Sequence, residues 1–383
     1  MWNDSYVPPK RLGKCHGDSL TDTYILGLAM HPPSAWVKEK RLEEMVFDTA
    51  RAALDDAHIE RQELDHVTIA ACDELDGRSI SSMLLSAPAG AYLKDETKTT
   101  DSGLIGFCLE AMRIGSGRFH LGLLSSWNKS SKAPLEDVMR MRCEPFFTRP
   151  IGLNMSIADA LFAQAVSATY AIREADVNAA VKSSYERAQK NERGMRPPVP
   201  SQKEIEASPF VSVPLRKIQQ APVTDGGVSM VVCSGEWLNK HPDRRPLARL
   251  GGLSWQIDQY QLGAGRLSAL QGFKETFRKA AAMADLPDLS PLDLVELDCQ
   301  TAFHDVSYRH ALGLPATCAV SPSGGPFAQN PYFCSGLVNA AEAVLQVSNR
   351  AGAVQVKGAR KAAAHGCHGF AQQGNAVAIF EGV

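Results

Sequence analysis

The sequence predicts an α/β protein made of two similar halves, each a sheet covered by helices, with a segment inserted between them. Three observations predict it. Short apolar runs alternate with amphipathic stretches in the order β-α-β-α-β through the first third of the chain. The same order recurs after about residue 245, as an internal duplication would give. Between the two lies an excursion from about 128 to 220. The expected boundaries are 1–244 for the N-terminal half, including the excursion, and 245–383 for the C-terminal half.

In the first half, Tyr24–Met30 is a short apolar run that reads as a buried strand. Glu44–Ala57 follows a 3.6-residue period, with Val46, Ala50, Ala53, Leu54 and Ala57 on one face, and predicts an amphipathic helix. Val67–Cys72 is the next strand, Ser102–Gly117 a helix ending near glycines, and His120–Ser125 the strand after it. The excursion holds two helical patterns, Ile157–Ala171 and Glu174–Asn191, and a proline-dense loop at Gly194–Pro200. In the second half, Arg245–Trp255 predicts a strand, Leu267–Ala284 a long helix and Leu292–Leu297 a strand. A helix through Leu312, a helix over Leu337–Ser348 and a strand over Ala376–Phe380 complete the series.

Composition narrows the function classes. The chain has 383 residues, 44% apolar and 21% charged, with a net charge of −2. That balance offers no basic field for nucleic acid or an anionic membrane surface. No apolar run reaches the roughly 18–20 residues of a membrane span, and the first 22 residues hold no apolar signal core. A cytoplasmic protein is expected. Nine cysteines, at 15, 72, 108, 143, 233, 299, 318, 334 and 367, form no C-x-x-C pair. They predict small buried hydrophobes rather than a disulfide framework or structural zinc site, with Cys367 and Cys299 as possible exceptions.

Several local motifs, in this order along the chain, carry a resemblance. Pro150–Asn191 reads PIGLNMSIADALFAQAVSATYAIREADVNAAVKSSYERAQKN; Pro214-Leu215-Arg216 precedes Thr224-Asp225-Gly226-Gly227; Ser321–Gly325 reads SPSGG and Asn330–Leu337 reads NPYFCSGL. Together they resemble the thiolase superfamily, over nearly all of the chain from about Thr23. The resemblance implies the thiolase fold, two βαβαβ-type halves in a layered αβαβα arrangement with an inserted loop domain. It also implies activity on coenzyme A thioesters, the coenzyme being part of the substrate, with no metal in this chain.

The catalytic positions are where the sequence departs from that pattern. The family's nucleophilic cysteine stands in a CxSGL motif that opens a helix, and Thr100 occupies its place in Thr100-Asp101-Ser102-Gly103-Leu104. A hydroxyl there is not ionised near neutral pH. Cys108, two turns along the same helix, is expected in the core. The family's GHP histidine matches Asn330, which can donate to a thioester oxygen but cannot act as a base. An ungapped match puts Asp298 at the family's Asn/His turn position and Cys299 at its glutamate; a two-residue shift puts Gln300 there instead and aligns Phe303. The C-terminal CxGGG loop corresponds to Ala364-His365-Gly366-Cys367-His368-Gly369-Phe370, so that Cys367 and His365 are candidates to line the site, against the alternative of a loop cysteine with incidental histidines. His304 is expected as a solvated histidine at a helix start, Trp127-Asn128-Lys129 as the turn after a strand, and Tyr332 as a packed aromatic that could also donate to an oxyanion.

Two function classes follow. One is an enzyme that makes or breaks a C–C bond beside an acyl-CoA thioester, by retro-aldol or retro-Claisen chemistry without an acyl-enzyme at Thr100. The other is a catalytically silent, thiolase-like partner of an active acyltransferase subunit. The resemblance further implies a homodimer, paired through the strand before Thr100 or the one after Gly117, and a possible zinc-ribbon/OB-fold partner subunit.

Overall fold

The computed structural model describes residue 20 and residues 22–383; Cys15 and the stretch read for a signal core fall outside or at the margin of the described residues. Ten strands form one sheet: β1 (Thr23–Met30), β2 (His66–Ala70), β3 (Asp95–Thr99), β4 (Leu121–Lys129), β5 (Asp225–Ser234), β6 (Ala248–Ile257), β7 (Leu294–Glu296), β8 (Ala319–Val320), β9 (Lys361–His368) and β10 (Gly374–Glu381). Their spatial order is β8-β7-β9-β10-β6-β1-β5-β4-β2-β3. Read outward from the middle, β1-β5-β4-β2-β3 has two antiparallel pairings and then two parallel ones. The series β6-β10-β9-β7-β8 repeats that pattern step for step. The two series join only at Tyr24↔Arg249 and Ile25↔Ala248.

Helices cover both faces, so the inner strands are buried on both sides rather than alternately; every residue of β4 and of β5 is buried. Helix α1 (Leu42–Ala57) lays Met45, Val46, Ala50, Ala53 and Leu54 on the outer face of the first half-sheet. Helix α2 (Gly103–Gly115) follows β3. Within the excursion, α3 (Met155–Tyr170) starts where Asn154 accepts a hydrogen bond from Ile157 N–H at 2.9 Å, and α4 (Glu174–Lys190) follows it. Helices α5 (Gln271–Met283) and α6 (Ala302–Leu312) cover the outer face of the second half-sheet, and α7 (Ser335–Val347) is buried along its whole length. Helices α2 and α7 share one core with strands of both half-sheets, which makes them the middle layer of an αβαβα stack. Among the described residues no single helix is long and apolar enough to cross a membrane.

The elements differ from expectation in three places. The helix expected over Leu267–Ala284 breaks at Leu270, which takes a left-handed conformation (φ 49°) between Ala264–Ala269 and α5. The break keeps Leu267, Leu270 and Phe273 in one core. The stretch expected as a CxGGG-type loop is β9 through His368, held between β7 and β10 by the small side chains of Ala362–Ala364. Strand β4 runs on through Trp127–Lys129, so these residues are buried strand rather than a turn.

The middle layer depends on glycine. A Cβ at Gly103 would stand 2.7 Å from Leu337 Cβ, and one at Gly336 would stand 2.8 Å from Gly366 Cα and 3.0 Å from Leu104 Cβ. Both helix starts and β9 therefore meet at van der Waals distance only because three side chains are missing. Gly336→Ala is expected to cost about 1–3 kcal/mol, read as a lower urea midpoint at unchanged slope. Gly265→Ala, in open space within a helix, should be neutral or stabilising under the same assay.

Candidate active site

The tight middle layer brings three chain segments together. Strands β7 and β9 lie parallel with Glu296 opposite Ala364, so the turn that leaves β7 at Asp298 falls beside Cys367. Helix α7 begins at the same point with Ser335. Asp298 is fully buried, and its carboxylate collects donors from all three segments. Cys367 backbone N–H donates at 3.0 Å, Gln300 Nε2 at 2.7 Å and Ser335 Oγ at 2.9 and 3.0 Å to the two oxygens. The Cys367 thiol points at the same carboxylate, with Sγ 3.3 Å from Oδ2. Burial raises the Asp298 pKa, and the hydrogen bonds from Cys367, Gln300 and Ser335 offset only part of that. Burial, then the Asp298 charge, pushes the Cys367 thiol well above its ordinary range. Cys367 is thus held as the thiol rather than the thiolate at neutral pH.

Asn330 joins through Gln300. Asn330 Nδ2 donates to Gln300 Oε1 at 2.8 Å, and Gln300 Nε2 lies 3.2 Å from Asn330 Oδ1. Asn330 is fixed from the other side by Thr224: Asn330 N–H donates to Thr224 Oγ1 at 3.0 Å and Thr224 N–H donates to Asn330 O at 2.9 Å. One Asn330 N–H is left for a ligand oxygen. The partner facing Asn330 is Gln300, the residue that the two-residue shift aligns, and Asp298 lies on the other side of Gln300.

The remaining expected residues separate by position. His365 accepts from Asp298 N–H at Nδ1 (3.3 Å), while its Nε2 lies 3.0 Å from Asn375 Oδ1. Burial lowers its pKa to about 4, so the neutral ring orients the Asp298 turn from within the core. Thr100 is exposed and makes no hydrogen bond to this group; its Oγ1 donates to Asp101 Oδ1 at 3.1 Å. Asp101 pairs with Arg142, which also reaches Glu74 at 3.0 Å and Cys72 Sγ at 3.3 Å. Cys299 turns away into the core, and burial holds its thiol far up. His304 is not solvated: it is fully buried, accepts at Nδ1 from Thr301 N–H (3.1 Å) and Oγ1 (2.7 Å), and stacks on Phe162 at 4.3 Å. Burial lowers it to about 3. Trp127 Nε1 donates to Asp76 Oδ2 at 3.0 Å, within the strand. Tyr332 is half-buried against Phe333, and its carbonyl lies 2.9 Å from Ser335 Oγ. Cys108 is in the core, its thiol raised by burial.

Ser335 was not among the expected site residues. The signal for it is the triplet Ser102-Gly103-Leu104 recurring as Ser335-Gly336-Leu337 at the head of the matching helix. Among the described residues no group of three or more His, Cys, Asp or Glu could hold a metal ion. A cleft of about 430 Å³ is lined in part by Phe210, Pro214, Arg216 and Phe303, and by none of Asp298, Gln300, Asn330, Ser335 or Cys367. Gln300 is held through its backbone as well, its carbonyl accepting from Ala221 N–H at 2.9 Å.

No family model matches the chain. An acetyl-CoA acetyltransferase of Methanothermobacter thermautotrophicus is 26% identical over 212 residues, 49% of this chain and 53% of that protein. The match thus spans only about half the length of that relative. Among solved structures, human mitochondrial 3-ketoacyl-CoA thiolase superposes with a TM-score of 0.78 at 16% identity, over 94% of this chain and 98% of that one. The same enzyme in complex with CoA gives 0.74. The Ltp2-ChsH2(DUF35) aldolase also gives 0.78, at 16% identity over 94% and 98% of the two chains. The chain has the thiolase fold.

The surroundings of Thr100 yield a test. A helix N-terminus lowers a thiol pKa, but a carboxylate at hydrogen-bond distance raises it. Thr100→Cys is expected to give an accessible thiol that iodoacetamide alkylates no faster than a free cysteine at neutral pH. Adding Asp101→Asn should speed the alkylation several-fold, as followed by mass spectrometry.

Proposed function

We propose that this chain belongs to the thiolase superfamily and acts on a C–C bond next to a coenzyme A thioester, by retro-aldol or retro-Claisen chemistry, without an acyl-enzyme at position 100. The observation that carries the reading is the convergence of a buried carboxyl, a protonated thiol and an amide pair: Asp298, Cys367, Gln300 and Asn330. Breaking a C–C bond beside a thioester leaves an enolate, which needs a hydrogen-bond donor at its oxygen and a proton for its α-carbon. Asn330 serves as the first in this reading. Cys367 serves as the second: its S–H proton passes to Cα, the sulfur is reprotonated from water, and Asp298 orients the thiol.

The Ltp2-ChsH2(DUF35) aldolase supports the retro-aldol branch and a second subunit, since its name joins an aldolase to a DUF35 protein. We extend both to this chain, the partner being of the zinc-ribbon/OB-fold kind. For self-association, β4 is ruled out as the pairing strand because β5 and β2 flank it. Strand β3 is at the sheet edge, and Ile80, Met83, Leu84, Tyr92 and Leu93 near it in sequence are exposed. We read this face as the homodimer contact, within the cytoplasm. The silent-partner reading has one observation in its favour: both oxygens of Asp298 already have partners within the chain, which a purely structural network would also show.

Two experiments follow. A mass-tagged acyl-CoA should leave position 100 unmodified in a digest, and Asp298→Asn and Cys367→Ala should each lower turnover about 10²-fold or more with the fold intact. An adduct on Thr100 would end the nucleophile-free mechanism; full activity of both variants, traced to another subunit, would favour the silent partner. Light scattering at micromolar concentration should give a dimer, and Leu93→Lys with Met83→Lys should give a monomer.

A further inference from the structure

One buried amide beside the site has no role so far. Asn375, at the start of β10, is 1% exposed. It stands directly opposite Cys367 across the β9–β10 pair. Opposed residues, and residues two apart on one strand, share a face of the sheet. Asn375, Cys367 and His365 are therefore neighbours on that face. The surroundings sort the two ends of the Asn375 amide. Its Nδ2 lies 3.2 Å from the Gln372 carbonyl, which only accepts, so Oδ1 is the atom that faces His365 Nε2 at 3.0 Å. An amide oxygen only accepts, so the proton of the neutral ring is on Nε2. The other ring nitrogen gives the same answer independently. Asp298 N–H, 3.3 Å from His365 Nδ1, can only donate, so Nδ1 carries no proton. Burial keeps the ring neutral, its pKa lowered to about 4. One tautomer satisfies both contacts; the other would set two donors against each other.

Both His365 and the approach to Asn375 are fixed from outside. Asn339, one turn beyond Ser335 in α7, donates from Nδ2 to the His365 carbonyl at 2.9 Å. The His365 ring meets Phe273 and Tyr308 edge-on, at 5.1 and 5.5 Å. In the turn that leads into β10, Ala371 and Gln372 take left-handed conformations, with φ of 44° and 53°. Residues other than glycine rarely do so, and such conformations persist where the surroundings over-determine them. Here Arg266 donates to the carbonyls of Phe370 (2.8 Å) and Ala371 (3.1 Å). Asp258 N–H donates to Gln373 O at 2.8 Å, and the Tyr308 hydroxyl donates to Gln372 Oε1.

We infer that Asn375 is a positioning residue for the Asp298–Cys367 pair. It holds His365 as the Nε2–H imidazole, which leaves Nδ1 to accept from Asp298 N–H and sets the carboxylate against the thiol. The four residues close a ring. Asn375 meets His365, and His365 meets Asp298 N–H. The Asp298 carboxylate meets Cys367 at N–H (3.0 Å) and Sγ (3.3 Å), and Cys367 stands opposite Asn375. The consequence for turnover rests on the acyl-CoA reading above, in which the Cys367 thiol protonates Cα. Asn375 touches no reacting atom in that reading, so its loss misdirects the thiol and leaves substrate binding alone. With leucine at 375 the buried Nε2–H has no acceptor, which is costly. The ring is then tied to Asp298 by the single 3.3 Å bond.

The test uses the full chain, with thermal unfolding as the check on folding of each variant. Proton–nitrogen correlation NMR on wild type labelled at histidine should show His365 with its proton on Nε2. The signal is assigned by its loss in His365→Phe. A proton on Nδ1 would overturn the inference, whether or not any variant at 375 folds. Kinetics on 3-hydroxyacyl- and 3-ketoacyl-CoAs then form a double-mutant cycle. Asn375→Leu and His365→Phe should each lower kcat roughly 10-fold or more at unchanged KM, and the double variant should be no slower than either. Gln373→Ala loosens the same turn by removing the 3.1 Å contact to Asp258 O, and should match wild type. Additive losses, a loss carried by KM, or an equal loss in Gln373→Ala would overturn the positioning role and leave the acyl-CoA reading standing. If wild type turns over no acyl-CoA, that reading falls and hydrogen exchange at the Asp298 amide decides the role of Asn375 by itself. Asn375→Leu should then speed that exchange several-fold, and an unchanged rate would overturn the inference.

Discussion

The close crossing of α2, α7 and β9 at Gly103, Gly336 and Gly366 is the contact on which the site depends. Leu337 fills the space that a side chain at 103 would take, and Leu104 fills that at 336. The crossing is reciprocal, as the repeated strand order of the two half-sheets requires, and it fixes both helix starts against the ends of parallel strands. Ser335 precedes Gly336 and Cys367 follows Gly366. Side chains from two different elements therefore reach one carboxylate, that of Asp298, without any of them being held by a flexible loop. Packing density of this kind leaves little room for rearrangement, so the donor geometry around Asp298 follows from the core rather than from the site itself.

Burial then decides the chemistry. In water, a carboxyl at neutral pH is a weak base and a cysteine a fair nucleophile. In this core the charged form of each is disfavoured, so Asp298 and Cys367 both shift towards their protonated forms while His365 and His304 shift towards neutral ones. Burial thus disfavours the charged form at each of these four groups, and at Asp298 the hydrogen bonds from Cys367, Gln300 and Ser335 oppose it. Charge-bearing groups collect instead around Asp101, Arg142 and Glu74, at the start of α2, where solvent can screen them.

The sequence was legible where burial and period agree. Strand β1 and helix α1 follow directly from apolar patterning, and α7 from its apolar length. Strand β3, Asp-Glu-Thr-Lys-Thr, is an edge strand without an apolar face, and β9 is made of alanine, glycine and histidine, so neither announces itself by composition. Leu270 interrupts an apolar period that by itself predicts one continuous helix. At the site, Asp298, Asn330 and Cys367 were singled out through motif resemblance, yet nothing in their spacing says that Gln300 bridges Asp298 to Asn330. Ser335 was missed because it stands ahead of the helix expected over Leu337–Ser348, which in the structure begins two residues earlier. His304 was placed in solvent because a polar residue at a helix start ordinarily is; its ring instead caps Thr301 from inside the core.

Thr100 and the Asp298–Cys367 pair express one electrostatic choice. A thiolate at the head of α2 would need the helix N-terminus to itself, but Asp101 already supplies an anion there, and Arg142 is committed to that carboxylate and to Glu74. A second anion at position 100 would be disfavoured by its neighbour. The helix start that does meet the buried site is that of α7, and the anion it stabilises is the Asp298 carboxylate, through the Ser335 hydroxyl in its first turn. A carboxylate fixed in this way cannot carry an acyl group, since both its oxygens are occupied. It can hold a thiol proton in place. The positive end of a helix, which lowers a thiol pKa when a cysteine occupies it, thus acts here on a carboxylate one hydrogen bond away from the thiol.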